Sequence, residues 1–362
     1  MRAILLNPGP VSISEGVRRA AVASDLCHRE GEYFDLQDRV RGKLTDVYQL
    51  DSACWVAVML GGSGTTALEA MVTSLLPREA RLLVLENGVY GERLSRLAEI
   101  HGVDYEPLRH GWPDAWDLPR VAAALASKAF THVAAVHHET TTGRLNPVAE
   151  LAQICARHGA RLLLDAVASF GAEDIPFDSP ALLACAATAN KCLHGIPGVC
   201  FVLLRRPDLD LAVTPPRSLT LDLTLWARHQ QQRSTPFTPP VNALLALDQA
   251  LSELQHAGGW KARHAGYHRL AEEVARQLEA LGVEALLPAS ASSCVLRAWR
   301  IPPGHDYQQV HDGLKRRGFV IYGGQGHLAS GMFRISTMGD IGHYDMERLL
   351  VALQDVFSST PG

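Results

Sequence analysis

No apolar stretch in the 362-residue sequence reaches the roughly 18 residues that a membrane-spanning helix requires. The opening MRAILLNPGPVS holds a four-residue apolar run before Asn-Pro-Gly-Pro, too short for the core of a secretory signal, so the expected location is the cytoplasm. Cysteine has no framework: seven residues (Cys27, Cys54, Cys155, Cys185, Cys192, Cys200 and Cys294) form an odd, scattered set without a Cys-x-x-Cys. Neither disulfides nor a zinc centre is expected from that set, and no metal is assigned. A basic stripe is missing too. With a net charge of −4 and a pI near 6.5, neither nucleic acid nor a membrane surface is expected as a partner, which leaves small molecules. Internal repeats and low-complexity tracts are also absent.

What is present is enough apolar sequence, 47 % against 20 % charged, for one large core and a smaller one. Runs at 55–60, 81–86, 131–137, 161–165 and 199–204 read as buried strands, and TTALEAMVTSLL, GERLSRLAEIHG and PVAELAQICARHG between them have helical apolar spacing. That alternation predicts an α/β fold with a mainly parallel, doubly wound sheet. From about residue 240 the texture changes: two long helical patterns precede the short strands SCVLRAW, FVIY and MFRIS, which alternate with further helices. This region reads as a smaller C-terminal α+β domain, with the strand-poor stretch 205–240 as the joint. The expected organisation is an N-terminal segment at the cleft (1–15), a large α/β domain (16–240), and a connecting helix with the small domain (241–362).

In such sheets ligands bind at the carboxyl ends of the strands. After strand 55–60 comes GGSGTTALEA, a glycine turn opening a helix, where Ser63, Gly64 and Thr65 can cradle a phosphate or simply make a turn. The turn lacks the Lys-Ser/Thr of a Walker loop and the GxGxxG of a dinucleotide fold. Tyr90, after strand 81–86, suits either a core position or stacking on a flat ring. Thr140 to Thr142, after strand 131–137, offer hydroxyls or turn formation.

Asp165 closes the apolar strand RLLLD, and a buried carboxylate needs a cationic or N–H partner. Lys191, in TANKCLHGIPG, follows the uncharged run SPALLACAA. It either snorkels to water or is a desolvated amine of the kind that forms a Schiff base. The 26 residues from Asp165 to Lys191 leave room for one more helix and strand, so both can face one cleft. An amine, an acid and a phosphate cup are the parts that pyridoxal phosphate requires. Cys192 beside the lysine reads as small packing rather than a nucleophile.

The segments NPGPVSISEGVRRA, DLCHREGEYFDL, GGSGTTALEA, NGVYGERL, HETTTGRLNP, LLLDAVASFG, ANKCLHGIPG, STPFTPP and MFRISTMGD occur in the order of the motifs of class V, fold-type I pyridoxal phosphate aminotransferases. The chain resembles that family over nearly its whole length. CHRE, HETTTG and ANKC-x-x-G-x-PG look most like the branch that exchanges 2-aminoethylphosphonate with pyruvate; the alanine and serine:glyoxylate branches share the layout.

The resemblance implies that Lys191 binds pyridoxal 5'-phosphate as a Schiff base and Asp165 pairs with the ring nitrogen. Tyr90 and Val167 would cover the two ring faces, and Ser63, Gly64, Thr65, Thr140 and Asn190 would surround the phosphate and ring. Thr235 and Thr238 would reach the partner's phosphate across a homodimer with shared active sites. Arg334 in FRIS matches an arginine that holds the substrate anion, although position alone also allows a core ion pair. His28 and Arg29 are further substrate-binding candidates.

The implied reaction gives phosphonoacetaldehyde and L-alanine. The alternative is transfer from another small amine or amino acid, such as alanine or serine, to glyoxylate or pyruvate. TPFTPP and FRISTMGD depart from the phosphonate branch, TPFTPP toward the glyoxylate enzymes, and both departures are expected near the substrate or interface region. A cysteine desulfurase needs a cysteine on a mobile loop, whereas Cys294 lies in the apolar run SCVLRAW.

Overall fold

The structure is a computed structural model in which residues 2–209 and 216–358 are described. Its core is a seven-stranded sheet in the order Trp55–Gly62, Gly198–Arg205, Leu182–Thr188, Arg161–Asp165, His132–Val136, Arg81–Glu86, Asp104–Arg109. Only Gly198–Arg205 runs against its neighbours; the other pairings are parallel or share that common direction. The five anticipated strands form within two residues of their expected ends because they are continuous apolar runs, which a sheet covered by helices on both faces selects. Separate apolar layers on the two faces include Leu36, Leu151 and Phe201 on one side and Leu68, Met71 and Leu94 on the other.

Asp104–Arg109 was not legible as a strand, since DYEPLR is charged and contains Pro107. It sits at the sheet edge, where a missing N–H and charged side chains are tolerated. Between Asp165 and the strand Leu182–Thr188 the expected helix does not form. The chain crosses in turns through FGAEDIPFDSP, whose Gly171 at φ +87° and whose two prolines, Pro176 and Pro180, oppose helical continuation.

Helix Gly31–Asp46, not anticipated from its polar sequence, packs on the long helix Val241–His256, where Lys43 Nζ lies 2.6 Å from Asp248 Oδ1. The stretch 205–240, of which 210–215 lie outside the described residues, contains a helix, Leu223–Gln231, packed on the strand Trp55–Gly62. Beyond it, Val241–His256 and Gly259–Ala280 lead to a three-stranded antiparallel sheet in the order Leu296–Arg300, Met332–Ser336, Tyr322–Gly323. The N-terminal Ile4–Leu5 pairs in parallel with Phe319–Val320, and Ile4 and Leu6 enter the same apolar cluster as Trp299, Phe333 and Leu349. The first residues therefore belong spatially with the last hundred. Among the described residues no helix is long and apolar enough to cross a membrane.

Candidate active site

The parallel strands carry their chemistry at one edge. Ser63 follows Trp55–Gly62 and caps the helix Gly64–Leu75, whose first amides, on Gly64 and Thr65, are free of intrahelical partners in any α-helix. Tyr90 lies in the first turn of the helix Val89–Ile100, Thr140 follows the two-residue strand His138–Glu139, and Asp165 closes its own strand. Lys191 occupies the turn beyond Leu182–Thr188. Val167 donates its N–H to Asp165 Oδ1 at 2.9 Å and crowds the phosphate-type turn: a Cβ on Gly64 would lie 2.7 Å from Val167 Cγ1. Only glycine lets the helix N-terminus come this close to the acid's loop.

Lys191 as a whole is half-buried, and its amine is turned to the backbone rather than standing free in water. Its Nζ donates to the carbonyl of Pro8, and a Cβ on Gly9 (φ +113°) would meet Lys191 Cδ at 2.7 Å, so the N-terminal segment lies directly against its stem. Burial brings the amine down to about 8; Arg334 and Arg93 push the same way and Asp165 opposes them. Burial raises the Asp165 carboxyl to about 6, against the stabilising Val167 N–H and the charges of Arg93 and Lys191. A partly neutral amine and a buried acid that lacks a full counterion thus share one cleft.

Arg334 is 3 % exposed in the strand Met332–Ser336. It makes no core ion pair among the described residues. Instead Nε donates to the Gly323 carbonyl (2.9 Å), and Nη1 donates to the Thr140 carbonyl (2.8 Å) and to Gln325 Oε1 (3.3 Å). Its charge is uncompensated at contact distance, and burial lowers its proton affinity, with Tyr90 and Glu139 nearby.

Two residues of this edge escaped sequence reading. Arg93 hydrogen-bonds Thr65 Oγ1 (3.2 Å), and its guanidinium lies 4.7 Å from the Tyr90 ring centroid. The signal was its spacing, three residues beyond Tyr90 on one helix. Glu139 is fully buried, accepts from the Thr141 N–H and hydroxyl and from the Gly91 N–H, and is raised by burial to about 7. Its signal was a carboxylate within HETTTG.

Other candidates are placed less centrally. Asn190 Oδ1 accepts from the Thr188 hydroxyl at 2.9 Å. Thr235 is buried and its hydroxyl donates to the Phe237 carbonyl, whereas Thr238 is exposed; Pro240 of the same segment lies beside Gly61. His28 is half-buried and Arg29 exposed, ahead of the helix Gly31–Asp46, and among the described residues no hydrogen bond or ion pair links them to Lys191, Asp165 or Arg334. Ser336 and Thr337 of FRISTMGD are buried, and their hydroxyls donate to the Val295 and Cys294 carbonyls at 3.0 and 2.8 Å.

Burial pushes the Cys192 thiol up to about 12, and it raises the Cys294 thiol as well, with Glu173 adding to the effect. Neither cysteine is an available nucleophile. Cys294, His264 and Glu173 do bring three metal-type donor atoms within 4.8 Å of one another. The Glu173 carboxylate is already engaged by the Ser293 hydroxyl and the Cys294 N–H, and the group serves as a hydrogen-bonded tie.

The family described as "Aminotransferase class-V" matches residues 17–338. Curated relatives called 2-aminoethylphosphonate–pyruvate transaminase include one from Vibrio cholerae, 38 % identical over 97 % of this chain and 96 % of its own length. Another, from Phocaeicola vulgatus, is 34 % identical over 98 % of each. Among solved structures, pyridoxamine–pyruvate aminotransferase from Mesorhizobium loti superposes with a TM-score of 0.91 at 26 % identity, covering 100 % of this chain and 94 % of that one. Aspartate aminotransferase of subgroup IV from Thermus thermophilus gives 0.90 at 27 %, covering 99 % of both.

Proposed function

The chain belongs to the class V aminotransferases, and from that premise we propose that it transfers the amino group of 2-aminoethylphosphonate to pyruvate, giving phosphonoacetaldehyde and L-alanine, with pyridoxal 5'-phosphate as cofactor. The observation that carries the reading is the pairing of Lys191, an amine lowered to about 8, with Asp165, a buried acid, at one strand edge beside a glycine-bounded helix N-terminus. These residues fit the cofactor. The close approach of Gly64 to Val167 leaves backbone N–H groups rather than side chains at the phosphate position.

When bound, pyridoxal phosphate supplies an aldehyde carbon and a protonated ring that accepts electrons. Asp165 keeps the ring nitrogen protonated by placing a negative charge against it. Ser63, Gly64 and Thr65 hold the phosphate, with Asn190 and Thr140 flanking, while Tyr90 and Val167 bound the ring. Lys191 Nζ would hold the cofactor through its aldehyde carbon, and as a free amine it would take the proton from the carbon bearing the donor's amino group. Arg334 holds the phosphonate in one half of the reaction and the carboxylate of pyruvate in the other. Arg93 lies over the Tyr90 ring at 4.7 Å from its centroid and so limits the ring's movement.

A second reading, transfer from another small amine or amino acid to pyruvate or glyoxylate, is favoured by the TPFTPP segment and by the fold shared with alanine–glyoxylate aminotransferase from Nostoc (TM-score 0.90, 25 % identity). A panel of amine donors with pyruvate, followed by alanine formation, separates the two. 2-Aminoethylphosphonate is expected to give the highest kcat/KM. Alanine formation from serine or other amines but not from 2-aminoethylphosphonate would favour the second reading.

A further inference from the structure

An arginine fork offers a carboxylate two parallel N–H donors, but the fork of Arg334 is largely spoken for. Nε and Nη1 are committed to the carbonyls of Gly323 and Thr140, and Nη1 also reaches Gln325 Oε1 at 3.3 Å. Nη2 alone has no partner among the described residues. The Gln325 amide must turn its oxygen to the guanidinium, because arginine can only donate, and this leaves the two N–H donors of Gln325 Nε2 beside Arg334, also without a partner among the described residues.

The loop that carries Gln325 is held against the large sheet's side of the cleft. A Cβ on Gly326 would lie 2.7 Å from Trp112, and the His327 ring is 4.4 Å from the Trp112 ring. The two residues that follow Gln325 are thus packed on Trp112, and its own side chain is held by Arg334.

A carboxylate presents two oxygens and a phosphonate three. We propose that Gln325 is a specificity residue of this anion site: its amide N–H meets the phosphonate oxygen that Arg334 cannot reach, so the site favours phosphonate over carboxylate. The inference rests on Arg334 as the anion-holding residue of the proposed reaction.

The test uses the holoenzyme and two non-reacting probes, ethylphosphonate and propionate, titrated by calorimetry onto wild type, Gln325→Leu and Gln325→Lys. Loss of a hydrogen bond to a charged oxygen predicts that Gln325→Leu weakens ethylphosphonate by roughly tenfold or more while propionate changes much less. Gln325→Lys, which keeps a donor, should retain the preference. A purely structural role, holding Arg334 in place, would weaken both probes by the same factor in Gln325→Leu, and that result overturns the proposal, as does an unchanged ratio. The titration needs no turnover. A wild type that binds the probes as described but does not convert 2-aminoethylphosphonate would refute the proposed substrate and leave the role of Gln325 standing.

Discussion

At Lys191 the chemistry is set by what surrounds one amine. Burial and the neighbouring Arg334 and Arg93 lower it to about 8, so it loses its proton, and becomes nucleophilic, as pH rises through that value. Uptake of pyridoxal phosphate by the cofactor-free protein, followed by absorbance, should accelerate about tenfold per pH unit below 8 and level off above it. A rate still climbing past pH 9 would mean that the amine is not depressed. Asp165 is raised to about 6 in the cofactor-free protein, so binding of pyridoxal phosphate to that form should weaken as pH falls through 6 and the carboxylate takes up a proton. Asp165→Asn keeps the shape and removes that charge; turnover should drop by several powers of ten, each about 1.4 kcal/mol of barrier. Near-normal turnover would contradict the role. Arg334→Lys cannot reproduce the bonds to Gly323 and Thr140 together with an outward donor. It should cost about 1.5–3 kcal/mol in each half-reaction, read by single-turnover conversion with the amine and then with pyruvate.

Between elements, the tie at Glu173 joins the turn after Asp165 to the helix Gly259–Ala280 and to Ser293 and Cys294, just ahead of the strand Leu296–Arg300. Burial would raise the Glu173 carboxyl, but hydrogen bonds with His264 and Ser293 outweigh it and hold the group near 2, while Glu173 in turn raises His264. The acid's contribution is present above its unfolded value and lost as pH falls through about 2; the imidazole's is present below its unfolded value and lost as pH rises through its folded one. Their joint effect is greatest between about pH 4.5 and 6.5. Glu173→Gln should therefore lower Tm more at pH 6 than at pH 8.5, with a loss of about 1–3 kcal/mol at the lower pH because His264 is part-exposed. An equal loss at both pH values would show that the charge on His264 plays no part. This tie was not legible in the sequence. Its members come from three separate places in the chain, Glu173, His264 and the adjacent Ser293 and Cys294, and nothing in periodicity brings them together. The apolar strands were legible because burial on both faces writes itself as a continuous run. The edge strand Asp104–Arg109 and the polar helix Gly31–Asp46 were not, because their places in the fold demand no such pattern.

Over the whole molecule, residues that end successive strands converge although they are 128 positions apart, from Ser63 to Lys191. Sequence order and strand-end logic were enough to assemble them. Arg93 and Gln325 were not found that way, since their importance comes from what their side chains touch. The segment carrying Thr235 and Thr238 lies beside Gly61 at the same edge, with Thr238 exposed, and the proposed homodimer has it completing the partner's site. Neither Lys191→Ala nor Thr238→Glu should be active alone. Random reassortment of the two should restore about a quarter of wild-type activity, because one site of each mixed dimer is intact. No recovery on mixing would place each site within a single chain.

Lys191 is proposed to carry the cofactor and to surrender it to the phosphonate amine. Borohydride treatment of the holoenzyme followed by peptide mapping reads both halves at once. Cofactor should be fixed to the peptide containing Lys191, that label should be absent when 2-aminoethylphosphonate is added before reduction, and it should return when pyruvate follows the amine before reduction. Label on Lys43, Lys128, Lys261 or Lys315 instead, or label on Lys191 that the amine does not displace, would contradict that role.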